Sequence, residues 1–318
     1  AKVTDPDGSI ADVVEILNAT NEILLDMTFL EGNLTTGHRT SIRSGLPTPT
    51  WRKLYGGVQP TKSRAVQVTD NTGMMEDYSE VDKALVEMAG NPAAFRLQED
   101  RPHIEGMNQE FASTLFYGDE STAPEEFTGL SARYNSLSAE NGDNIIAGGG
   151  SGSDNASIWL ICWGPNTCHG IIPKGSKAGV QQRDLGEVTL ENADGANGRM
   201  QAFRTHYRWD VGLSVRDWRY AVRIANIDRS ALTFNAASGA DLNDLMHQAW
   251  TEIPNTSMGR SAWYMDKSIL SMLRRQTSSA VSSSTLTTDL VGGTMQTSWG
   301  GIPIRRCDAL RGNEATVS

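Results

Sequence analysis

The chain has 318 residues with 28 Lys and Arg against 38 Asp and Glu, and a formal net charge of −10 excludes a surface built mainly to neutralise nucleic-acid phosphates. An apolar share of 38%, a charged share of 21% and 31 glycines predict a loop-rich α+β protein. No apolar run approaches the roughly 20 residues of a membrane span, the longest being Ile158 to Trp163, so a membrane-spanning chain is not expected. At its start Ile10, Val13, Val14 and Leu17 recur at helical spacing with Asp12 and Glu15 between them, which predicts an amphipathic arm helix docked on another surface. From Gly32 to Thr69 Asp and Glu vanish while Arg39, Arg43, Arg52, Lys53, Lys62 and Arg64 gather around the turn sequences GLPTP and YGGVQP. The expectation is a basic, two-stranded extended loop. In an acidic protein this segregation fits a loop that meets an acidic surface, including one on another copy of the chain; a solvated hairpin without a partner is the alternative.

Glu80 to Ala89 is helix-like, Asn91-Pro92 signals a second helix start, and Arg101-Pro102 interrupts. Beyond it Ile104, Met107, Phe111 and Leu115 share a helical face, so Asp82 to Phe116 reads as an interrupted long helix. Gly129 to Asn155, with its GGGSGSDN run, is expected to be surface loop. Ile158 to Trp163 should be a buried strand, followed by turns around Gly164-Pro165 and Pro173 to Gly179.

Met200 to Asp228 predicts long paired β-structure. Phe203, Tyr207, Trp209, Val211, Leu213 and Val215 occupy alternate positions and share one strand face. After Asp217 the phase flips to Trp218, Tyr220, Val222 and Ile224, the slip that a bulge or tight turn between two strands produces. Asp241 then opens a helix with an apolar stripe of Leu242, Leu245, Met246, Ala249 and Trp250, and Ser261 is read as the cap of another carrying Tyr264, Ile269, Leu270 and Leu273. Thr277 to Thr288 is expected to be a mobile loop and Gly300 to Arg306 a closing strand. No internal repeat is found.

Catalytic and metal signatures are missing. Cys162, Cys168 and Cys307 form no CxxC pair and are read as free thiols of a reducing compartment; Cys162, Cys168 and His169 lack the close pairs of a zinc site. The other histidines, His38, His103, His206 and His247, are scattered without HExxH spacing, and His206 is assigned to a strand surface. PKGSKAG at Pro173 has the wrong order for a phosphate-binding loop. Gly148 to Ser153 breaks the dinucleotide fingerprint at its last position, and Gly149 to Ser153 fails as a nucleophile elbow. Carboxylate pairs such as Glu99-Asp100 and Glu125-Glu126 have no partner motif. The first residues, AKVTDPDGS, show no secretory pattern, so export is not expected. No catalytic, cofactor-binding or metal residue is therefore named.

An ordered series of segments carries a resemblance. It comprises ILNATNEILLDMTFLEGN from Ile16, SGLPTPTWRKLYGGVQPTKSRAVQVTD from Ser44, SEVDKALVEMAGNPAAFRLQED from Ser79 and FASTLFYGD from Phe111. It continues with IIPKGSKAG from Ile171, GLSVRDWRYAVRIANID from Gly212, SAWYMDKSIL from Ser261 and WGGIPIRRCDAL from Trp299. In that order, over nearly the whole chain, they resemble the major capsid proteins of tailed bacteriophages, in the group of short-tailed Bordetella and epsilon-type phages.

The resemblance implies the Hong Kong 97 capsid fold. Residues 1–43 would be an N-terminal arm and 44–75 an extended loop over a neighbouring subunit. Residues 76–130, 196–235 and 300–318 would form a peripheral domain with the spine helix, and 131–195 and 236–299 an axial domain. It further implies hexamers and pentamers closing into an icosahedral head around double-stranded DNA, in a virion assembled in the host cytoplasm, with cement, scaffold and portal proteins as further partners and neither cofactor nor membrane. Some relatives crosslink a loop lysine to a neighbour's asparagine. Lys53 and Lys62 lie in the right region, but no asparagine or catalytic carboxylate matches, so a noncovalent shell is expected. An encapsulin-like compartment shell and, further off, a soluble enzyme using Cys162, Cys168 or His169 are the alternatives.

Overall fold

The computed structural model describes residues 22–88, 92–191, 195–279, 286–291 and 294–318; the expected arm helix around Ile10 to Leu17 lies outside them. The fold turns on one strand, β5 (Asn155–Trp163), in which every residue is buried. Its side chains alternate between two apolar clusters: Trp159, Ile161 and Trp163 enter the first, and Ile158, Leu160 and Cys162 the second. A strand covered on both faces has no use for polar alternation, which is why this stretch is a continuous apolar run.

Around it the described strands form one 13-stranded mixed sheet in the order β11 (Leu286–Val291), β12 (Thr294–Trp299), β13 (Ile302–Arg306), β10 (Arg260–Met265), β5, β6 (Cys168–Ile172), β8 (Arg199–Val215), β3 (Arg64–Asp82) and β2 (Gly37–Gly45). Off this path, β1 (Phe29–Glu31) joins β6, β4 (Ile145–Ala147) joins β9 (Ala221–Asp228), β9 also joins β5, and β7 (Gln181–Glu191) joins β8. The last is an edge strand whose pairing shifts at Asp184/Gly186, with Gly186 in the left-handed region at φ +73°.

Met200 to Asp228 does form two strands, and its phase flip has a structural meaning. Tyr207, Trp209, Val211, Leu213 and Val215 of β8 point into the first cluster, whereas Tyr220, Val222 and Ile224 point into the second. A short 3-10 turn at Trp218–Tyr220, with the Asp217 side chain accepting from the Arg219 amide, makes the slip. The two strands do not pair with each other, however: β8 lies against β3, β6 and β7, and β9 against β4 and β5.

The helices cover the sheet. The first cluster packs under α3 (Pro92–Tyr117) through Ile104, Met107, Phe111, Leu115 and Phe116, with the Phe111 and Trp209 rings 4.5 Å apart. Pro102 was expected to interrupt this helix, yet α3 runs through it. The proline and Gln98, whose carbonyl loses its amide partner, are on the exposed side, where water can take that carbonyl. The helix expected from Glu80 begins later, as α2 (Lys83–Met88), because β3 continues to Asp82, whose side chain accepts from the Ala84 amide.

The second cluster packs under α5 (Leu242–Glu252) and α6 (Lys267–Ser279). Asp241 caps α5 as expected, and Leu242, Leu245, Met246 and Ala249 are buried, but Trp250 is 44% exposed. Ser261 lies in β10 instead of capping a helix; Asp266 accepts from the Ser268 amide at the start of α6. The loop expected from Thr277 to Thr288 is helical to Ser279 and strand from Leu286, where β11 begins, while residues 280–285 lie outside the described ones. Gly129 to Asn155 is also more ordered than expected, with α4 (Leu130–Arg133), a 3-10 turn at Gly142–Asn144 and β4. Buried Leu130 and Ile145 pull those short elements onto the sheet.

The chain after β13 folds back across the sheet. Glu314 is buried against Arg223 at 2.8 Å and accepts from Ser157 and Tyr117, while Asn226 and Val317 exchange two hydrogen bonds of 2.8 Å. Removing one member of such a pair strands a charge in an apolar setting. Glu314→Ala should therefore cost about 3–5 kcal/mol in denaturant unfolding of the purified chain. A cost below about 1 kcal/mol would show that this pair does not fasten the returning segment.

Candidate assembly interface

Among the described residues the most open large apolar side chains lie at the end of a ribbon of two strands. Residues from Gly37 to Arg43 of β2 pair in antiparallel register with Asn71 to Ala65 of β3, and a register shift closes the ladder at Gly45 and Arg64. Residues 46–63 then form a tip in which the Gly56 amide donates to the Lys53 carbonyl at 3.0 Å and Tyr55 sits at φ +60°. Pro47, Pro49 and Pro60 contribute no amide donors, which keeps this segment from extending the ladder.

The tip exposes side chains that water does not favour. Leu46, Trp51, Leu54 and Tyr55 are almost wholly open, and Val58 and Val66 half so. Interleaved with them are exposed Arg52, Lys53, Lys62 and Arg64, and no carboxylate lies between Gly32 and Thr69. An isolated two-stranded ribbon is marginal in water, and Trp, Tyr and Arg are the side chains that dominate protein interfaces.

The base, in contrast, is fastened. Asn33 clamps Arg39 by accepting from its amide at 2.8 Å and donating to its carbonyl at 2.7 Å. Gly37 is needed where it stands, because a Cβ there would meet the Asp70 carbonyl oxygen at 2.3 Å. Asp70 is buried beside Arg133 at 2.8 Å and accepts from the Ser214 hydroxyl at 2.7 Å. Among the described residues the root is thus fixed and the tip uncovered.

The body offers surface of opposite sign. A groove of about 710 Å³ between α3 and the segment after β13 is lined by Glu22, Glu105, Glu110 and Asp308, with Arg306 already bound to Asp308 at 2.6 Å. Nearby, α1 (Glu22–Asp26) is anchored by Asp26, which accepts from Arg305 at 2.8 and 3.1 Å.

The residues considered for chemistry are dispersed or sealed. Cys162 and Cys168 point into opposite apolar clusters. Burial raises the thiols of Cys162 and Cys168 and pushes that of Cys307 up to about 12, so all three are protonated and unreactive near neutral pH. Among the described residues no group of three or more His, Cys, Asp or Glu is placed to hold a metal ion, and no helix is long and apolar enough to cross a membrane. Asp100 is buried beside Tyr207 while Glu99 faces solvent. His206 lies on the strand surface, stacked on Tyr78 at 4.6 Å. Lys53 and Lys62 are exposed on the tip. One association escaped sequence reasoning: His38 and His169, far apart in the chain, meet at the base of the ribbon with ring centroids 5.9 Å apart.

Comparison with known proteins decides the family. The model of the family described as Major capsid protein GP7 matches residues 5–318. The chain belongs to that family. A solved chain of bacteriophage epsilon15 is 37% identical, covers 92% of this chain and 88% of its own, and superposes with a TM-score of 0.70. This capsid protein therefore has the Hong Kong 97-like α+β fold, and its place is the phage virion. More distant likenesses are to the capsid of bacteriophage JBD30, at 8% identity, TM-score 0.47 and coverage of 90% and 89%, and to the encapsulin of Synechococcus elongatus PCC 7942, at 9% identity, TM-score 0.45 and coverage of 71% and 92%. No curated protein matches.

If the tip works only between copies, Trp51→Ala and Tyr55→Ala should leave unfolding of the separate chain within about 0.5 kcal/mol of the parent. The same variants should yield fewer particles by sedimentation, and undiminished yield would remove the tip from the interface.

Proposed function

We propose that copies of this chain assemble into the hexamers and pentamers of an icosahedral phage head enclosing double-stranded DNA, each copy's β2–β3 ribbon clasping its neighbour. The observation that carries this reading is the ribbon itself, whose root is fixed by Asn33, Gly37 and Asp70 while its Trp51, Leu54 and Tyr55 stand exposed among the described residues. Family membership supplies the context. The carboxylate-lined groove beside α3 provides surface of the sign that Arg52 and Lys53 require.

The work is mechanical: many modest contacts, repeated over a closed lattice, resist the pressure of packed DNA. A net charge of −10 suits a shell that encloses nucleic acid without gripping it specifically. The chain is not an enzyme on this reading, in keeping with three buried, protonated thiols. Lys53 and Lys62 act as solvated cations and not as crosslinking nucleophiles, so the shell is noncovalent and is reinforced by a cement protein. Scaffold and portal proteins are the further partners, and assembly takes place in the host cytoplasm.

The domain partition expected from the resemblance is carried over as part of this proposal, with the ribbon's β2 (Gly37–Gly45) beginning inside the residues 1–43 assigned to the arm. Helix α3 over the first cluster would be the spine of the peripheral part, and α5 and α6 over the second would face the symmetry axes. The sheet crosses that partition, with β7 of the axial share paired to β8 of the peripheral share.

Electron microscopy of the expressed, purified protein should show closed icosahedral particles, and a lone monomer at assembly concentrations would overturn the proposal. Exposed ion pairs weaken with screening, so raising ionic strength should loosen the particles. Arg52→Glu with Lys53→Glu should lower particle yield at every salt concentration, and unchanged yield would count against a charge-matched clasp. Boiled particles should run as monomer in denaturing gels; ladders of multiples would disprove the noncovalent shell.

A further inference from the structure

The root of the ribbon contains buried groups that the clasp itself does not use. His38 stands on β2 opposite Asp70 of β3, and His169 on β6 opposite Ser214 of β8. Their rings meet edge to face, 5.9 Å between centroids and 75° between planes. His169 is fully buried, and no hydrogen bond closes on either of its ring nitrogens.

The surroundings suit neutral rings and no others. Asp70, the carboxylate that faces the pair from β3, is already engaged by Arg133 of α4 at 2.8 Å and by the Ser214 hydroxyl. From the end of β8 comes Arg216, which donates to the Pro165 carbonyl at 2.9 Å. The Cys168 thiol beside His169 is held protonated by burial. The root thus has two cations around one carboxylate before either histidine takes up a proton.

We propose that His38 and His169 form a proton-operated hinge: as neutral rings they let β2 lie against β6, and when protonated they drive the root of the ribbon away from the sheet. The titration behaviour agrees. Burial first, then His38 and Arg216, hold His169 down at about 4 from its ordinary 6.5, with Asp70 and the Gly164 backbone pulling weakly the other way. His38 is lowered as well, by burial and then Arg216, against Asp70. A base whose pKa is depressed in the closed form binds its proton better in the open form. The closed root is therefore fully favoured above about pH 6.5 and loses ground as the pH falls towards 4. The consequence for particles rests on the ribbon being the clasp between copies: mild acid would loosen it without unfolding the body.

Hydrogen–deuterium exchange of the full chain, with rates corrected for intrinsic pH dependence, tests the hinge. Between pH 7.5 and 4.5 the amides of residues 37–45 and 64–71 should lose at least roughly tenfold protection while those of β5 hold theirs. In His38→Phe with His169→Phe the loss should vanish. In His38→Phe alone, which also removes the acceptor of the Asn33 amide, the loss should follow pH less steeply, because one proton is taken up on opening instead of two. Flat protection in the parent, an unchanged slope in His38→Phe, or β5 opening together with the root would each overturn the hinge. Particle formation by these variants at pH 7.5 reports on the clasp separately, so failure of one reading leaves the other standing.

Discussion

Everything in this molecule is arranged around a strand with no solvent face. Because β5 is buried on both sides, the sheet needs a helix layer above and below it, and the α3 layer and the α5–α6 layer each close over a different set of its side chains. Trp159, Trp163 and Trp263 are among the largest fully buried residues, and all lie on β5 or the neighbouring β10. Burial of that size is worth about 1.5–3 kcal/mol per large side chain, and it is non-directional, so polar details must fix the geometry. The Arg223–Glu314 pair and the Asp26–Arg305 pair do so, fastening the returning segment and α1 to the same sheet.

Against that body the ribbon is designed on opposite terms. Its root obeys the rules of a core, with a clamped backbone, a glycine that admits no side chain and a buried ion pair. Its tip violates them, exposing Trp51 and Tyr55 among three cations. Among the described residues Trp51 and Tyr55 are the most open of the large apolar side chains, and membership of a shell-forming family gives such a surface a use. On the proposed clasp each contact would need only a modest free energy, because every copy would both give and receive one.

Much of this was legible from residues, and what was not failed for identifiable reasons. The double phase of Met200 to Asp228 could be read because period-2 alternation survives wherever one face is buried, and the charge segregation of Gly32 to Thr69 is a matter of composition. Partner choice was not legible: the strands on either side of Asp217 look like a hairpin, yet long-range pairing places other strands beside each. Pro102 misled because a local rule about helix interiors yields when the lost hydrogen bond faces water. Strand β6 was hidden because CHGII is short, and β7 because an edge strand facing solvent carries little apolar pattern. The His38–His169 contact had no signal at all, since two single histidines in separate segments acquire meaning only when the sheet brings β2 and β6 together. The absence of catalytic motifs read from the sequence was informative in its own way, leaving the ordered resemblance as the guide to family.

The outer edge of β7 has a bearing on how such chains can be crowded together safely. A shell brings many identical sheets side by side, the condition under which open β-edges zip into fibrils. Here that rim is kinked by the left-handed Gly186, where the pairing with β8 shifts, and Asp184 and Glu187 are turned to Arg96 and Lys83 of the helix layer, so an approaching backbone meets a broken line of amides in place of a template.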